Sequence, residues 1–179
     1  YSDKPYELAF YADFNRSLKP GQSWLMEYST HSKNFREELE MLQARGVNWL
    51  FLFKFKPFPA GQEQGMKSLL TITGEPTANY LEVKKWTDEK LDIQKMDDPE
   101  IGLVYDFESS WVNYIATWGD YTDRLIYYDY LVNRVYKTLY RPDQSVRIQS
   151  PDQSLDGLKA ILLPKQILYN MELEKNLEE

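Results

Sequence analysis

The chain contains no cysteine, which excludes disulfides and thiolate metal sites and fits a cytoplasmic protein. It has a single histidine, His31, so a His-cluster metal site is not expected, nor is any cofactor. Positive charge is in deficit, with 21 Lys and Arg against 28 Asp and Glu and a formal net charge of -7. A nucleic-acid binder would need a basic surface, so that class is disfavoured. No apolar run is long enough to span a bilayer. Gly61 and Gly65 are not followed by Lys-Ser/Thr and lack the preceding strand geometry of a P-loop, so no phosphate cradle is expected. Convincing repeats and low-complexity tracts are missing. The first residue is Tyr1, with neither Met nor a signal-peptide pattern, as in a processed or excised chain.

What is present is globular. Hydrophobic residues make up 42% and charged residues 27% of 179, enough for one ordinary domain or parts of two. Aromatic content is 15%, with 14 Tyr and 5 Trp. Such rings pack at half-exposed surfaces, and they also stack on the C–H faces of pyranoses. Composition alone favours the packing role.

Along the chain, 6–18 reads as a helix with Leu8, Tyr11 and Leu18 on one face, stopped by Pro20-Gly21. A short apolar strand, 24–28, follows. Residues 34–45 form a second helix, with Phe35, Leu39 and Leu42 on one face and Gly46 at the C-terminal cap position. The run 48–53 lacks polar alternation and is expected to be a strand buried on both faces. Strand, helix and strand at this spacing make a βαβ unit. Residues 57–74, broken by Pro57, Pro59, Gly61, Gly65 and Gly74, form a long loop of the kind that is often functional. A helix is expected over 76–96, and Asp97-Asp98-Pro99-Glu100 reads as a linker. Beyond it come a strand at 101–105, a helical region after Asp106-Phe107-Glu108, and a long helix capped by Thr122. The stripe of that helix is Leu125, Tyr128, Val132, Val135 and Leu139, widened by Tyr127, Tyr136 and Tyr140. Two further strands, at 146–148 and 158–163, and a helix from Met171 complete a doubly wound α/β pattern.

Glu27 stands out because it closes an apolar strand. A charge is costly to bury without partners, so a carboxylate where a buried strand surfaces is usually a mouth residue. In barrel enzymes the carboxyl ends of the strands carry the chemistry. The plainer role is a helix cap or a partner for a lysine at the sheet edge. The two strands of the first unit also leave apolar edges unpaired, so either another chain completes the sheet or the unit belongs to a larger barrel. The order helix, strand, helix, strand, helix matches the last quarter of a (β/α)8 barrel.

Several motifs carry a family resemblance. Trp24-Leu25-Met26-Glu27 resembles the penultimate-strand motif of glycoside hydrolase family 42 β-galactosidases, in which a Met-Glu at the strand tip holds the nucleophile. Phe53-Lys54-Phe55-Lys56, then Ala60-Gly61-Gln62-Glu63 and Leu69-Leu70, resembles the family's last barrel strand and its loop, usually Gly-x-Glu-x-x-His before Leu-Leu. Residues 102–111, from Gly102 to Trp111, resemble the start of the family's second domain, an amidotransferase-like α/β unit that mediates trimerisation. Residues 158–179 resemble a later strand and helix of that domain.

The resemblance covers nearly the whole chain in the right order. It implies an α/β fold: terminal βα units of a (β/α)8 barrel over 1–96, then part of an amidotransferase-like doubly wound trimerisation domain over 97–179. It implies a retaining glycosidase acting on an oligosaccharide or β-galactoside, a homo-oligomer that is a trimer in the family, with Glu27 as nucleophile. The acid/base carboxylate belongs to an earlier strand, so the chain alone should be inactive. Substrate-binding positions by resemblance are Glu63, Met66 and Phe35. Three departures stand out: Met66 replaces the family's His, Phe35 aligns with its sugar-platform Trp, and the loop before the next helix is shorter. Phe35 shares a stripe with Leu39 and Leu42, which points to helix core. Lys54 and Lys56 either counter the charge of Glu27 and Glu63 or are solvated, the latter being favoured. Asp106 and Glu108 lie at a strand's carboxyl end, where open α/β sheets bind ligands, but the resemblance points to a structural or interface role. His31 reads as a loop residue before it reads as a catalyst. The rival function is a non-catalytic α/β oligomerisation or interaction module derived from a glycosidase.

Overall fold

The computed structural model describes residues 4–30, 32–89, 95–116 and 126–178, without the side chains of Met26 and Ile126. Helix α1 (Pro5–Leu18) starts on a proline, whose missing N–H costs nothing in the first turn. Strand β1 (Ser23–Ser29), helix α2 (Phe35–Ala44) and strand β2 (Val47–Phe53) follow. Gly46 sits just past α2 at φ +84°, a left-handed geometry that suits glycine at a helix end. β1 and β2 pair in parallel, as a strand–helix–strand connection requires. Helix α3 (Ala78–Glu89) is shorter than the helix expected over 76–96. Residues 95–99 are irregular, and the Met96 N–H donates to the Ala44 carbonyl at 2.9 Å.

The second half opens with β3 (Ile101–Val104) and α4 (Phe107–Ala116). A helical stretch then runs through α5 (Ile126–Tyr130), a π-helical segment (Leu131–Tyr136) and α6 (Lys137–Leu139). Strands β4 (Arg147–Gln149) and β5 (Ala160–Leu162) and helix α7 (Met171–Glu178) complete it. β3 lies between β4 and β5, all parallel. The fold is therefore α/β with parallel sheets. The expected cap Thr122 and the stripe residue Leu125 lie outside the described residues.

Two hydrophobic clusters hold the molecule. One joins Ala12, Tyr28, Phe35, Leu39 and Leu42, with Leu25, Leu50, Leu52 and Trp86 packed around them. The other joins Tyr6, Ala9 and Phe10 to Leu103, Leu131, Val132, Tyr136, Val146 and Ile148. Helix α1 serves both. Its buried positions are Tyr6, Ala9, Phe10, Ala12 and Asp13, whereas Tyr11 and Leu18 of the expected face are exposed. The stripe of the long helix also shifts. Leu131 and Tyr136, five apart, are both fully buried, because the i→i+5 winding of a π turn brings such positions to one side.

A buried ionic network joins the two clusters. Arg45 Nη1 lies 2.9 and 2.7 Å from the two carboxylate oxygens of Asp13. The Tyr136 hydroxyl and the Val146 N–H donate to Asp13 Oδ2 at 2.6 and 2.9 Å. Arg45 Nη2 donates to the carbonyls of Arg141 and Gln144 at 2.8 and 3.1 Å. Burial pushes the Asp13 carboxyl up, against the pull of Arg45, Tyr136 and Val146.

Within this chain β2 is covered on one face only. Trp24, Trp49 and Phe51 are exposed and form one aromatic face, with ring centroids 6.3 Å (Trp24–Trp49) and 6.2 Å (Trp24–Phe51) apart. Leu25, Leu50 and Leu52 pack in the cluster that holds α2's Phe35, Leu39 and Leu42. An apolar run without alternation thus splits into one covered and one open face, because the helices of this half cover a single side.

Candidate active site

The carboxyl ends of β1 and β2 lie side by side, with Ser29 opposite Phe53. Between the pairs Leu25–Leu50 and Tyr28–Leu52, β1 carries one residue more than β2. That extra residue makes a bulge, and bulges re-aim side chains near strand ends. Glu27 lies within it at φ +56° and is exposed. A left-handed backbone at a non-glycine residue costs about 1–3 kcal/mol and persists only where its surroundings impose it. Glu27 thus stands two residues before the end of β1, in a conformation that periodicity does not reveal.

The residues beside Glu27 serve the scaffold. Tyr28 is buried and stacks on Phe35, 5.8 Å between centroids and 13° between planes. Its hydroxyl donates to the Glu38 carboxylate. Burial, with that bond second, pushes the Tyr28 phenol far above its usual range. Asn79 Nδ2 donates to the carbonyls of Thr30 and Ser32 at 2.7 and 3.2 Å, tying the turn after β1 to α3. Tyr28, the residue after Glu27, is therefore committed to the scaffold. His31 lies outside the described residues.

The loop after β2 folds back over the strand ends. Its base is closed by Leu69 N–H to the Lys54 carbonyl (3.0 Å) and Leu70 N–H to the Phe55 carbonyl (2.8 Å). The Phe53–Lys54 peptide is cis. Glu63 is partly buried and Met66 exposed. Met66 lines an open cavity of about 650 Å³ together with Thr30, Ser32, Phe58, Ile72 and Asn79. The loop after β1 and the loop after β2 therefore share a hollow, and Met66 contributes an apolar wall to it.

Phe35 is 2% exposed, in the core of α2, with a ring face against Tyr28. A ring stacked inside a cluster offers no face to a sugar, so its place among the substrate-binding positions is corrected to helix core. Lys54 is also corrected: it is 5% exposed, not solvated, while Lys56 is exposed.

The second candidate site is structural. Asp106 is buried and caps α4, its Oδ1 accepting the Glu108 N–H at 3.0 Å. Its Oδ2 accepts from Ser109 Oγ and from Gln166 Nε2, both at 2.6 Å. Ser109 Oγ accepts the N–H groups of Ile167 and Leu168 at 3.2 and 3.1 Å. A carboxylate with its oxygens committed in this way closes a loop onto a helix start. Glu108 is exposed.

Among the described residues, no group of three or more His, Cys, Asp or Glu could hold a metal ion. None of the described helices is long and apolar enough to cross a membrane.

Comparison with known proteins returns β-galactosidases. No family model matches. The β-galactosidase BgaH of Haloferax lucentense is 26% identical over 191 aligned positions, covering 98% of this chain and 28% of that protein. A β-galactosidase of an Arthrobacter species is 27% identical, covering 90% of this chain and 25% of that protein. Among solved structures, the polyextremophilic β-galactosidase from the Antarctic haloarchaeon Halorubrum lacusprofundi aligns with a TM-score of 0.81 at 21% identity, over 98% of this chain and 28% of that one. A catalytic mutant of a GH42 β-galactosidase from G. stearothermophilus aligns with a TM-score of 0.76 at 16% identity, over 97% of this chain and 28% of that one. The chain spans about a quarter of the length of the curated relatives it matches. The chain is thus similar in sequence to β-galactosidases and shares its fold with solved β-galactosidases, one of them of GH42.

Proposed function

We infer that this chain is part of a retaining glycoside hydrolase of the β-galactosidase type, with Glu27 as its nucleophile. One observation carries the reading: the likeness to β-galactosidases extends over nearly the whole chain. Residues 1–96 then supply the closing βα units of a (β/α)8 barrel, and 97–179 the front of the trimerisation domain. The cysteine-free composition supports a cytoplasmic setting.

A retaining mechanism needs a second carboxyl group about 5–5.5 Å from the nucleophile, as proton donor to the leaving group. The resemblance assigns it to a barrel strand earlier than β1. Glu27 attacks the anomeric carbon, and the glycosyl ester it forms is then hydrolysed by water. The bulge and the left-handed backbone at Glu27 support this role, since positioned carboxylates of this kind sit at strand ends. Glu63 accepts hydrogen bonds from sugar hydroxyls, and Met66 offers an apolar wall where the family has His. The rival reading, a non-catalytic interaction module, is not favoured by relatives that are enzymes by name.

The test is covalent trapping in the enzyme that carries this chain. A 2-deoxy-2-fluoro β-galactoside with a good leaving group should leave its glycosyl mass on the peptide containing Glu27. Glu27→Gln should abolish both labelling and turnover of an aryl β-galactoside. Label on another carboxylate, or turnover retained by Glu27→Gln, removes Glu27 from the mechanism.

A further inference from the structure

An ammonium group prefers water, and lysine is among the residues least often buried. Lys54 is nonetheless 5% exposed at the end of β2. Its Nζ donates to the carbonyl oxygen of Glu63 at 2.8 Å. It also stands 4.2 Å from the centroid of the Phe58 ring and 5.8 Å from that of Phe53. Both lie within the about 6 Å at which a ring face attracts a cation. One carbonyl and two aromatic faces thus take the place of water around this charge.

The acceptor is informative. Lys54 binds the main chain of Glu63, not its carboxylate, so it fixes the backbone there without occupying the acid group. The same carbonyl accepts the Met66 N–H at 3.3 Å, and the Gly61 carbonyl accepts the Gln64 N–H at 3.1 Å. The Lys54 carbonyl meanwhile closes the base of the loop through the Leu69 N–H. A single residue therefore ties the loop's base, through its main chain, to the loop's tip, through its side chain. With Pro57, Pro59, Gly61 and Gly65 in the sequence, this loop has little regular structure of its own to hold it.

We propose that Lys54 is a positioning residue for substrate binding: its ammonium holds the Glu63 carbonyl and so sets the turn that presents the Glu63 carboxylate and Met66 to the sugar. The proposal rests on the reading of Glu63 as a sugar contact. Lys54 does not touch the reacting atoms; it acts through the backbone of the residue that binds.

Two measurements test it. Hydrogen exchange in the enzyme that carries this chain should show the Gln64 and Met66 amides exchanging about tenfold faster or more in Lys54→Met, with α2 unchanged. Lys54→Arg, which keeps a charged donor, should restore most of the protection. Phe58→Leu, which removes a ring but not the charge, should give a smaller loss in the same direction. In the enzyme that carries this chain, Lys54→Met should raise KM for an aryl β-galactoside about tenfold while kcat stays within about threefold. A side chain needed only for folding would lower the active fraction instead, reducing apparent kcat at constant KM. Unchanged exchange at Gln64 and Met66 overturns the positioning role whatever the kinetics show. Faster exchange with unaltered KM overturns its link to the sugar. If the wild-type enzyme hydrolyses no glycoside, the functional reading fails, and exchange still decides whether Lys54 holds the loop.

Discussion

At the scale of single residues, the strongest constraint lies away from the mouth. Asp13 and Arg45 are both fully enclosed, and their ion pair is completed by Tyr136, Val146 and two carbonyls. Removing one partner of such a pair strands the other charge without water, which costs about 3–5 kcal/mol, whereas replacing both with apolar groups is often nearly neutral. Asp13→Asn should therefore lower unfolding free energy in urea by about 3–5 kcal/mol, while Asp13→Leu combined with Arg45→Met recovers part of that loss, the Val146 N–H and the Arg141 and Gln144 carbonyls being left without their partners. A double variant no more stable than Asp13→Asn would show that the pair itself, not the stranded charge, matters. None of this was legible in the sequence, where Asp13 falls within the helix expected over 6–18 and Arg45 ends the helix expected over 34–45. The position of Glu27 near a strand end was legible because a carboxylate closing an apolar run is conspicuous. Lys54 was not, because its partner is a carbonyl nine residues away and carries no sequence signal.

At the scale of elements, most of the strands and helices could be read in advance, because each is short, periodic and bounded by Gly, Pro or a polar cluster. Misreadings came where tertiary context decides. The long helix was read at a period of 3.6, and the π segment breaks that period. Close approach between elements is equally hidden. A Cβ added to Gly102, in the central strand β3, would lie 2.6 Å from Leu158 Cδ1. Gly102→Ala must therefore displace the half-buried Leu158 side chain, an overpacking effect of at most about 1–3 kcal/mol. Thermal melts should show Gly102→Ala less stable than wild type, with Leu158→Ala in the same chain relieving part of the strain. Equal melting of wild type and Gly102→Ala would mean that Leu158 swings away at no cost.

At the scale of the whole molecule, α1 is the seam. Phe10 packs edge-on against Tyr136 and Tyr128, with centroids 5.3 and 5.9 Å apart, and Ala12 lies in the other cluster. The helix that follows the undescribed segment brings three tyrosines to this seam and to β3, and burial is the first cause raising each of their phenols. Tyr127 is pushed up to about 12 from the ordinary 10.0. A phenol whose folded value lies above its unfolded value favours folding below the unfolded value, and that contribution is lost as pH rises toward the folded one. From pH 10 upward the unfolded chain gains by ionising while the folded chain still holds Tyr127 neutral, and the loss is complete near pH 12. Because the same helix carries Tyr136, which bonds Asp13 at the junction of both clusters, the two halves should unfold together. Circular dichroism and phenolate absorbance should therefore trace one cooperative alkaline transition above pH 10. Tyr127→Phe cannot ionise, so it removes that contribution and should move the transition to higher pH. Two separate transitions, one for each half, would show that α1 does not couple them.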